Sequence, residues 1–264
     1  MDAKTQKKWA NWLWTFCSDD QTRPAICGPW RKCGHWVATN GHRLAVVPDL
    51  GEVEDLPDDV VIPANVLTAF AATGKRLRYA DKRLWAGEES VRIEQATPPD
   101  MTIMFNAAIH DIEWTNRLEM SADELKYAID CLSDVEDWTA TERASWAKLP
   151  RLGIVKKETL VYLCVAKRPG DADLPYFAVR VTCRVKVPVE EADGLQRHQT
   201  KEVVRYWYCD SERFTPPDDR VCTIDATYLG DTLGKHSVVQ FRDKLSITLV
   251  TTGDAFHLVM PRRD

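Results

Sequence analysis

The chain has 264 residues and a mass of 30.1 kDa, with 44% hydrophobic and 28% charged residues. That length suits two domains of about 100–150 residues each, and that composition is typical of a soluble globular protein rather than a disordered one. The formal net charge of -5 excludes a protein coated in basic surface, but it is compatible with a localised basic face.

Neither a membrane span nor a secretory signal is predicted. No run of about 18 apolar residues occurs, and the opening residues, MDAKTQKKWANWLW, lack the apolar core and the small-residue cleavage site of a signal peptide. We therefore expect a cytoplasmic protein. The eight cysteines are scattered without a C-x-x-C pair, so buried reduced thiols are favoured over disulfides or zinc ligands, and no metal or cofactor is predicted.

The N-terminal segment, residues 4–16, is predicted to form an amphipathic helix. Trp9, Trp12, Leu13 and Phe16 recur at helical spacing, and lysines lie on the opposite side. The two tryptophans are core residues or interface residues. The basic face is either a solvated surface or a contact for an anionic partner.

Short strands and a second helix follow in the first half of the chain. Strands are predicted around Ala25 and over residues 36–46, and a helix over Ala64 to Ala72 ends before Gly74. Further short strands are predicted over residues 77–79, 83–86 and 90–94.

The pattern restarts in the second half. A strand over residues 117–120 precedes a helix that Ser121 and Glu124 open as a capping box. A last helix is predicted from Asp225 to Gly234, and a long loop over Val187 to Thr200. Strands are predicted over residues 152–155, 160–166, 176–187, 202–209, 237–241, 245–251 and 255–260. Each half therefore combines strands with two helices in the same order, which indicates an α+β fold and a structural duplication.

The stretch VATNGHRLAV, residues 37–46, interrupts strand residues with the strong turn signal Asn40-Gly41. This turn is a plain hairpin, or it serves a specific role. His42 beside it is more readily a hydrogen-bonded structural histidine than a catalytic base or metal ligand, because no nucleophile or second ligand follows at a suitable spacing. An enzymatic function therefore has little support.

That stretch resembles the A-T-D-G-H-R-L-A signature of the DNA polymerase III beta subunit, the bacterial sliding clamp, with Asn40 where the family usually has Asp. DDQTRPAICG is similar to the family's D-E-T-R-P-x-L-x-G segment, and TPPDM stands where clamps carry an F-P-D-Y-like segment. NRLEMSADELKYAI and TIDATYLGDTL resemble parts of the last clamp domain, and HLVMPRRD resembles the family's Y-V-x-M-P-M-R-L. The resemblance spans nearly the whole chain.

The resemblance implies an α+β DNA-clamp fold with two domains, each of antiparallel sheets with two helices. Residues 1–115 would correspond to the middle domain of the family and residues 116–264 to its last domain. In the family these two domains form the groove that binds short peptides of polymerases, clamp loaders and repair proteins. The resemblance assigns to this groove Ile26, Thr39, Gly41, His42, Arg43, Leu44, Pro99, Ile103, Met104, Leu258, Val259, Met260, Pro261 and Arg262.

The resemblance also implies that the helices face double-stranded DNA and meet phosphate without reading bases. Support is thinner on the helix after Ser121, where acidic residues predominate. Such contacts are screened by salt, so retention would come from encirclement rather than affinity. The cations assigned to this face are Lys4, Lys7, Lys8, Arg23, Lys75, Arg76, Lys126 and Lys235.

A clamp ring of this family contains six domains, which three copies of a two-domain chain would complete. The resemblance therefore predicts a homotrimeric processivity factor that tethers a polymerase. Two departures bear on this prediction. The strand that opens each family domain is not seen before the first helix, which could alter the contact between subunits, and Asp264 replaces a terminal apolar residue, which could narrow peptide choice. The alternatives are an interaction module that competes for clamp-binding peptides, and an enzyme on the same fold.

Overall fold

The computed structural model describes residues 3–49, 51–102, 113–133, 156–166, 174–190, 196–208 and 220–262. These residues form sheets that are antiparallel apart from one two-residue parallel pairing, together with a few helices, and the predicted α+β class is confirmed. The helices are α1 (Ala3–Thr15), α2 (Ala64–Ala71), α3 (Ala122–Ser133) and α4 (Ala226–Gly230). The strands are β1 (Trp30–Lys32), β2 (His35–Thr39), β3 (Arg43–Pro48), β4 (Val53–Glu54), β5 (Leu77–Ala80), β6 (Arg83–Ala86), β7 (Glu89–Arg92), β8 (Asn116–Met120), β9 (Lys156–Ala166), β10 (Leu174–Glu190), β11 (Gln196–Tyr208), β12 (Arg220–Asp225), β13 (Ser237–Phe241), β14 (Thr248–Thr252) and β15 (Ala255–Val259).

Contacts divide the chain into two compact units. β14 and β15 come late in the chain but belong to unit 1, because β15 pairs with β3 and places Leu258 opposite Leu44. The domain division between residues 115 and 116 stays a prediction. Unit 1 comprises Met1–Thr115, His236–Gln240 and Ile247–Met260, and unit 2 comprises Asn116–Lys235, Phe241–Ser246 and Pro261–Asp264.

Unit 1 packs α1 and α2 together with strands of two sheets. One sheet runs in the order β1-β2-β3-β15-β14-β13 through this unit, and the other is β4-β5-β6-β7. Both helices and both sheets supply side chains to a shared core, which buries their apolar faces. That core includes Leu13, Phe16, Trp36, Ala45, Leu67, Ala71, Leu77 and Leu84.

Helix α1 has the predicted amphipathic character. Leu13 and Phe16 are fully buried, while Trp9 and Trp12 are half-buried and pack against the core. The Trp9 ring meets the buried Trp36 ring edge-on, with 5.1 Å between centroids. The two tryptophans of α1 therefore lie against the core of unit 1, and the lysine side of the helix faces solvent.

Unit 2 is built on a sheet of order β11-β10-β9-β12, with α3 against β10 and β11 and α4 against β9 and β12. The predicted capping box opens α3: Ser121 N–H donates to the Glu124 carboxylate at 2.7 Å, and Glu124 N–H donates to Ser121 Oγ at 3.2 Å. Asp225 caps α4 as predicted, because its carboxylate accepts from Thr227 N–H at 2.8 Å. Local side-chain chemistry thus starts both helices of this unit.

Four sequence predictions of local structure are wrong or incomplete. Ala25 lies in a 3-10 helix, Pro24–Ile26, rather than a strand, because Pro24 fixes its own φ and lacks the N–H of a ladder. The predicted loop over residues 187–200 is largely strand, since β10 and β11 stay paired as far as Glu190 and Gln196. Helix α4 ends at Gly230 rather than Gly234, and the strands β1, β4 and β12 were not predicted. The predicted strand over residues 152–155 and Asp264 lie outside the described residues.

Candidate functional site

The turn between β2 and β3 is held by its own side chains. The Asn40 side-chain oxygen accepts from His42 N–H at 3.0 Å and from Arg43 N–H at 3.1 Å. Thr39 Oγ donates to Arg43 O at 2.7 Å and accepts from Gly41 N–H at 3.1 Å. One side-chain oxygen is enough for this role, and asparagine has one. Asn40 can therefore hold the turn as well as the aspartate that stands at this position in the signature that the stretch resembles.

Gly41 gives the turn its shape and brings Arg23 onto it. Its φ of +91° lies in the region that favours glycine. A Cβ at this position would lie 3.0 Å from Nη2 of Arg23. The structure therefore places Arg23, which was assigned to the DNA face, directly beside the turn that was assigned to the peptide groove.

Several residues assigned to the groove are buried rather than accessible. Leu44 and Leu258 face each other in the pairing of β3 with β15, and each has 1% of its surface exposed. Val259, Thr39 and Ile26 are also buried. Leu44 and Leu258 pair just below the turn, and a ligand resting on the turn would not touch these buried side chains directly in this conformation.

Arg43 also points into the interior rather than to a groove. Its guanidinium donates to the carbonyl oxygen of Thr15, the last residue of α1, and lies 4.9 Å from the centre of the Phe16 ring. A cation at the C-terminal end of a helix is favourable because the carbonyl groups there are unpaired within the helix. Arg43 therefore fastens α1 to the β3 strand.

The accessible part of the predicted groove in unit 1 is small and mixed in character. His42 is exposed, and its carbonyl oxygen accepts from Met260 N–H at 2.9 Å. Met260, just after β15, is 38% exposed. His42 and Met260 thus present a polar ring and a flexible apolar side chain at one edge of unit 1.

A shallow depression of about 210 Å³ lies elsewhere on unit 1, between Trp30, the ion pair of Lys32 with Asp59, and residues 97–102. Pro99, assigned to the groove, is exposed and lines it. Ile103 and Met104 lie outside the described residues. Met101, which precedes them, packs against the cluster that contains Leu44 and Leu258.

Pro261 and Arg262 belong to unit 2. Arg262 N–H donates to Thr223 O at 2.7 Å, and its guanidinium pairs with the Glu158 carboxylate. This arrangement fixes Arg262 at the edge of β12, where it lines a second depression that Arg220 and Lys244 also line.

The cations assigned to DNA contact are all exposed, but they are not equivalent. Lys4, Lys7 and Lys8 lie on the solvent face of α1, whose first turn has no acidic residue. Lys75 pairs with Glu89 at 3.1 Å, and Arg76 pairs with Glu54. The lysines of α1 therefore carry the stronger positive field.

Close packing brings α1 and the end of α2 together. A Cβ on Gly74, which has a φ of +67°, would lie 2.6 Å from the Cβ of Ala3. Glycine is required here, and it places Lys4 and Lys75, each next in sequence to this contact, at the same end of the helix pair. In unit 2 the exposed Lys126 shares α3 with Asp123, Glu124 and Asp130, while Lys235 is exposed after Gly234.

His257 has a structural role that the sequence analysis missed. Its ring stacks on Phe16 with 5.4 Å between centroids, and Trp12 meets it edge-on at 5.6 Å. Burial, helped by the positive charge of Arg43, lowers the pKa of His257 to about 4. The imidazole is therefore neutral at physiological pH. The available signal was the composition of β15, in which Ala255, Phe256, Leu258 and Val259 flank His257, as in a strand that is buried on both faces.

Within the described ranges, no helix is long and apolar enough to cross a membrane. The same part of the chain contains no group of three or more His, Cys, Asp or Glu side chains that could hold a metal ion.

The fold of the chain is that of a DNA clamp. Its structure is similar, over the whole chain, to the DNA polymerase III beta subunit, the bacterial sliding clamp. The Borrelia burgdorferi subunit matches with a TM-score of 0.57 and 15% identity, over 62% of that protein. The Bacillus subtilis sliding clamp matches with a TM-score of 0.55 and 15% identity, over 63% of that protein. The Caulobacter crescentus clamp matches with a TM-score of 0.54 and 18% identity, over 65% of that protein.

The chain thus spans a little under two thirds of the length of these clamps. No protein-family model and no curated protein sequence matches it. At these identities the comparisons define the fold.

Proposed function

We propose that the protein is a DNA sliding clamp, a processivity factor that encircles double-stranded DNA and tethers a polymerase. The observation that carries this proposal is the structural match of the whole chain to beta-subunit clamps. The protein would act as a binding scaffold rather than an enzyme, and it would work in the cytoplasm, where DNA is replicated.

The lysine face of α1 supports contact with DNA. A lysine in the first turn of a helix is opposed by the helix dipole, so Lys4 slightly destabilises α1, while Lys7 and Lys8 extend the same positive face along the next turn. Three exposed cations on one face attract phosphate without reading bases. Contacts of this strength permit sliding once the ring holds the DNA.

The turn at residues 40–42 and the exposed Met260 support binding of peptides from polymerases and clamp loaders. A methionine adapts its shape to different apolar anchors. The buried leucines beneath the turn keep its backbone fixed, and a rigid support reduces the ordering cost of binding. The domains would be residues 1–115 and 116–264, and three copies of the chain would supply the six domains of a ring.

A second candidate function is a clamp-like interaction module that binds or competes for clamp-binding peptides without encircling DNA. The ion pairs of Lys75 with Glu89 and of Arg76 with Glu54, together with the acidic face of α3, favour it, because they weaken the positive field that DNA requires. Such a module would bind peptides at the same site but would not form a ring.

The test of the peptide site is a charge placed at Met260. Met260→Glu should lower the affinity for a fluorescent peptide with adjacent Leu and Phe anchors at least tenfold, which corresponds to about 1.4 kcal/mol. Leu44→Glu is unsuitable for this test, because a charge on a side chain that is only 1% exposed would unfold unit 1.

The matched control is Tyr127→Glu, which places the same charge at an exposed large side chain of α3. Anisotropy titrations and thermal melts of both variants give affinity and folding together. Equal peptide affinity of Met260→Glu and the wild-type protein would remove the turn region from the peptide site.

A further inference from the structure

Trp14, near the end of α1, differs from the other tryptophans of the described ranges because its side chain is exposed. It has 45% of its surface exposed, whereas Trp9 and Trp12 on the same helix pack against the core and Trp30 and Trp36 are fully buried. A tryptophan ring stabilises a fold mainly through the apolar surface that it buries, so an exposed ring contributes little to unit 1. Trp14 is therefore accessible to a ligand.

Trp14 shares one face of α1 with the lysines assigned to DNA. Residues three, four or seven positions apart lie on the same side of a helix. Trp14 follows Asn11 by three residues and Lys7 by seven, and Lys4 and Lys8 lie beside them. All five side chains are exposed, and together they are called the α1 face below. The α1 face is thus cationic at its start and aromatic at its end.

The positive charge of the α1 face is not neutralised by its own helix. Helix α1 contains no Asp or Glu, and its three lysines form no ion pair with any residue of the described ranges. Acidic residues follow the helix at Asp19 and Asp20, and the Asp20 carboxylate accepts from Thr22 N–H at 3.0 Å and from Thr22 Oγ at 2.7 Å. The charge therefore favours an anionic partner that lies along the lysines, which precede Trp14 by about 10–15 Å along the helix axis.

We propose that the α1 face binds single-stranded DNA, with Trp14 stacked on an unpaired base and the lysines at the neighbouring phosphates. The inference rests on the proposed function, in which α1 faces DNA, and it specifies a form of DNA that this face recognises. The bases of a duplex stack on one another inside the helix, so a duplex offers phosphates to the lysines but no base face to Trp14. The bases of a single strand are accessible, and surfaces that bind single strands combine cations for the backbone with aromatic rings for the bases.

The test compares a labelled oligothymidylate of about 16 nucleotides with a labelled duplex of the same length, by fluorescence anisotropy of the full-length protein at low salt. Trp14→Leu keeps an apolar, helix-forming side chain but removes the ring, so affinity for the single strand should fall about tenfold, as expected for the loss of one stacked base. Affinity for the duplex should change by less than about twofold, because phosphate contacts remain. Trp14→Phe keeps a flat ring and should lose less than about threefold in affinity for the single strand.

The matched control is Tyr127→Leu. Tyr127 is 64% exposed on α3, whose first turn carries Asp123 and Glu124, so the loss of its ring should leave the affinity for both DNA probes unchanged. Lys7→Glu should weaken binding of the single strand and of the duplex, because both present phosphates to the lysines. Thermal melts of each variant separate loss of contact from loss of folding, and Trp14→Leu should melt close to the wild-type temperature because the ring is exposed.

Several results would overturn the inference, and they are distinguishable. Unchanged single-strand affinity in Trp14→Leu would remove Trp14 from the DNA contact and leave the lysine contact with duplex intact. Equal losses for the single strand and the duplex, or equal losses in Trp14→Leu and Trp14→Phe, would exclude base stacking as the role of the ring. An oligoglutamate of the same length that binds as tightly as the oligothymidylate, and is weakened equally by Trp14→Leu, would assign the α1 face to an acidic protein. Absence of binding of either DNA by the wild-type protein would remove the proposed DNA contact along with this inference.

Discussion

Acid should destabilise unit 1 through His257. The side chain has 1% of its surface exposed, between Phe16 and Trp12 and near the guanidinium of Arg43. Burial, and to a smaller extent the charge of Arg43, lowers its pKa from 6.5 to about 4. The folded chain therefore accommodates the neutral imidazole, and protonation would place a second cation beside Arg43 in an apolar layer.

The direction of this pH effect on stability follows from the pKa values of His257 in the unfolded and folded chain. In the unfolded chain this histidine is protonated near pH 6.5, and in the folded chain only near pH 4. The contribution of His257 to the free energy of unfolding is therefore complete above pH 6.5 and is lost as the pH falls toward 4. With these values, the free energy of unfolding should fall by about 2 kcal/mol between pH 7 and pH 5 from this group alone.

Urea unfolding followed by tryptophan fluorescence, at pH 7 and pH 5, measures this loss. His257→Phe keeps an aromatic ring against Phe16 but cannot titrate, so its stability should fall by about 2 kcal/mol less than that of the wild-type protein over the same interval. His236→Gln, at an exposed histidine, should behave as the wild-type protein does. An equal loss of unfolding free energy in His257→Phe and in the wild-type protein would refute the assignment of this acid sensitivity to His257.

Two other substitutions probe the packing and the DNA face. In Gly28→Ala the new Cβ would lie 1.9 Å from Ile62 O, so urea unfolding should show a loss of about 3 kcal/mol or more, whereas Gly230→Ala meets nothing closer than 3.7 Å and should be neutral or stabilising. A folded Gly28→Ala of unchanged stability would contradict this packing. Lys7→Glu should weaken binding to duplex DNA and reduce the magnitude of its salt slope by about one, and Lys82→Glu, an exposed lysine outside α1, should not. Equal slopes in both variants would remove α1 from the DNA face.

Local chemistry made part of this structure predictable from the sequence. The spacing of Leu13 and Phe16 gave the buried side of α1, the Ser121 and Glu124 pair gave the start of α3, and Asn40-Gly41 gave the turn between β2 and β3. Each of these features depends on residues within a few positions of one another. The clamp fold was predicted from a resemblance in motif order rather than from local chemistry.

The features that the sequence did not reveal depend on distant pairings. The burial of Leu44 follows from the pairing of β3 with β15, more than 200 residues later in the chain. The inward orientation of Arg43 depends on where α1 ends, because its partner is the carbonyl of Thr15. The apolar and cationic residues of the stretch 37–46 were therefore predicted to contact a ligand. In the structure, several of them instead hold the turn and α1 in place.

The most direct test of the proposed sliding clamp is the solution mass, measured by light scattering over a concentration series. A ring of three chains predicts a mass about three times 30.1 kDa that persists on dilution. A mass of 30.1 kDa at every concentration would contradict encirclement of DNA by a ring of three chains, and it would favour the peptide-binding module instead.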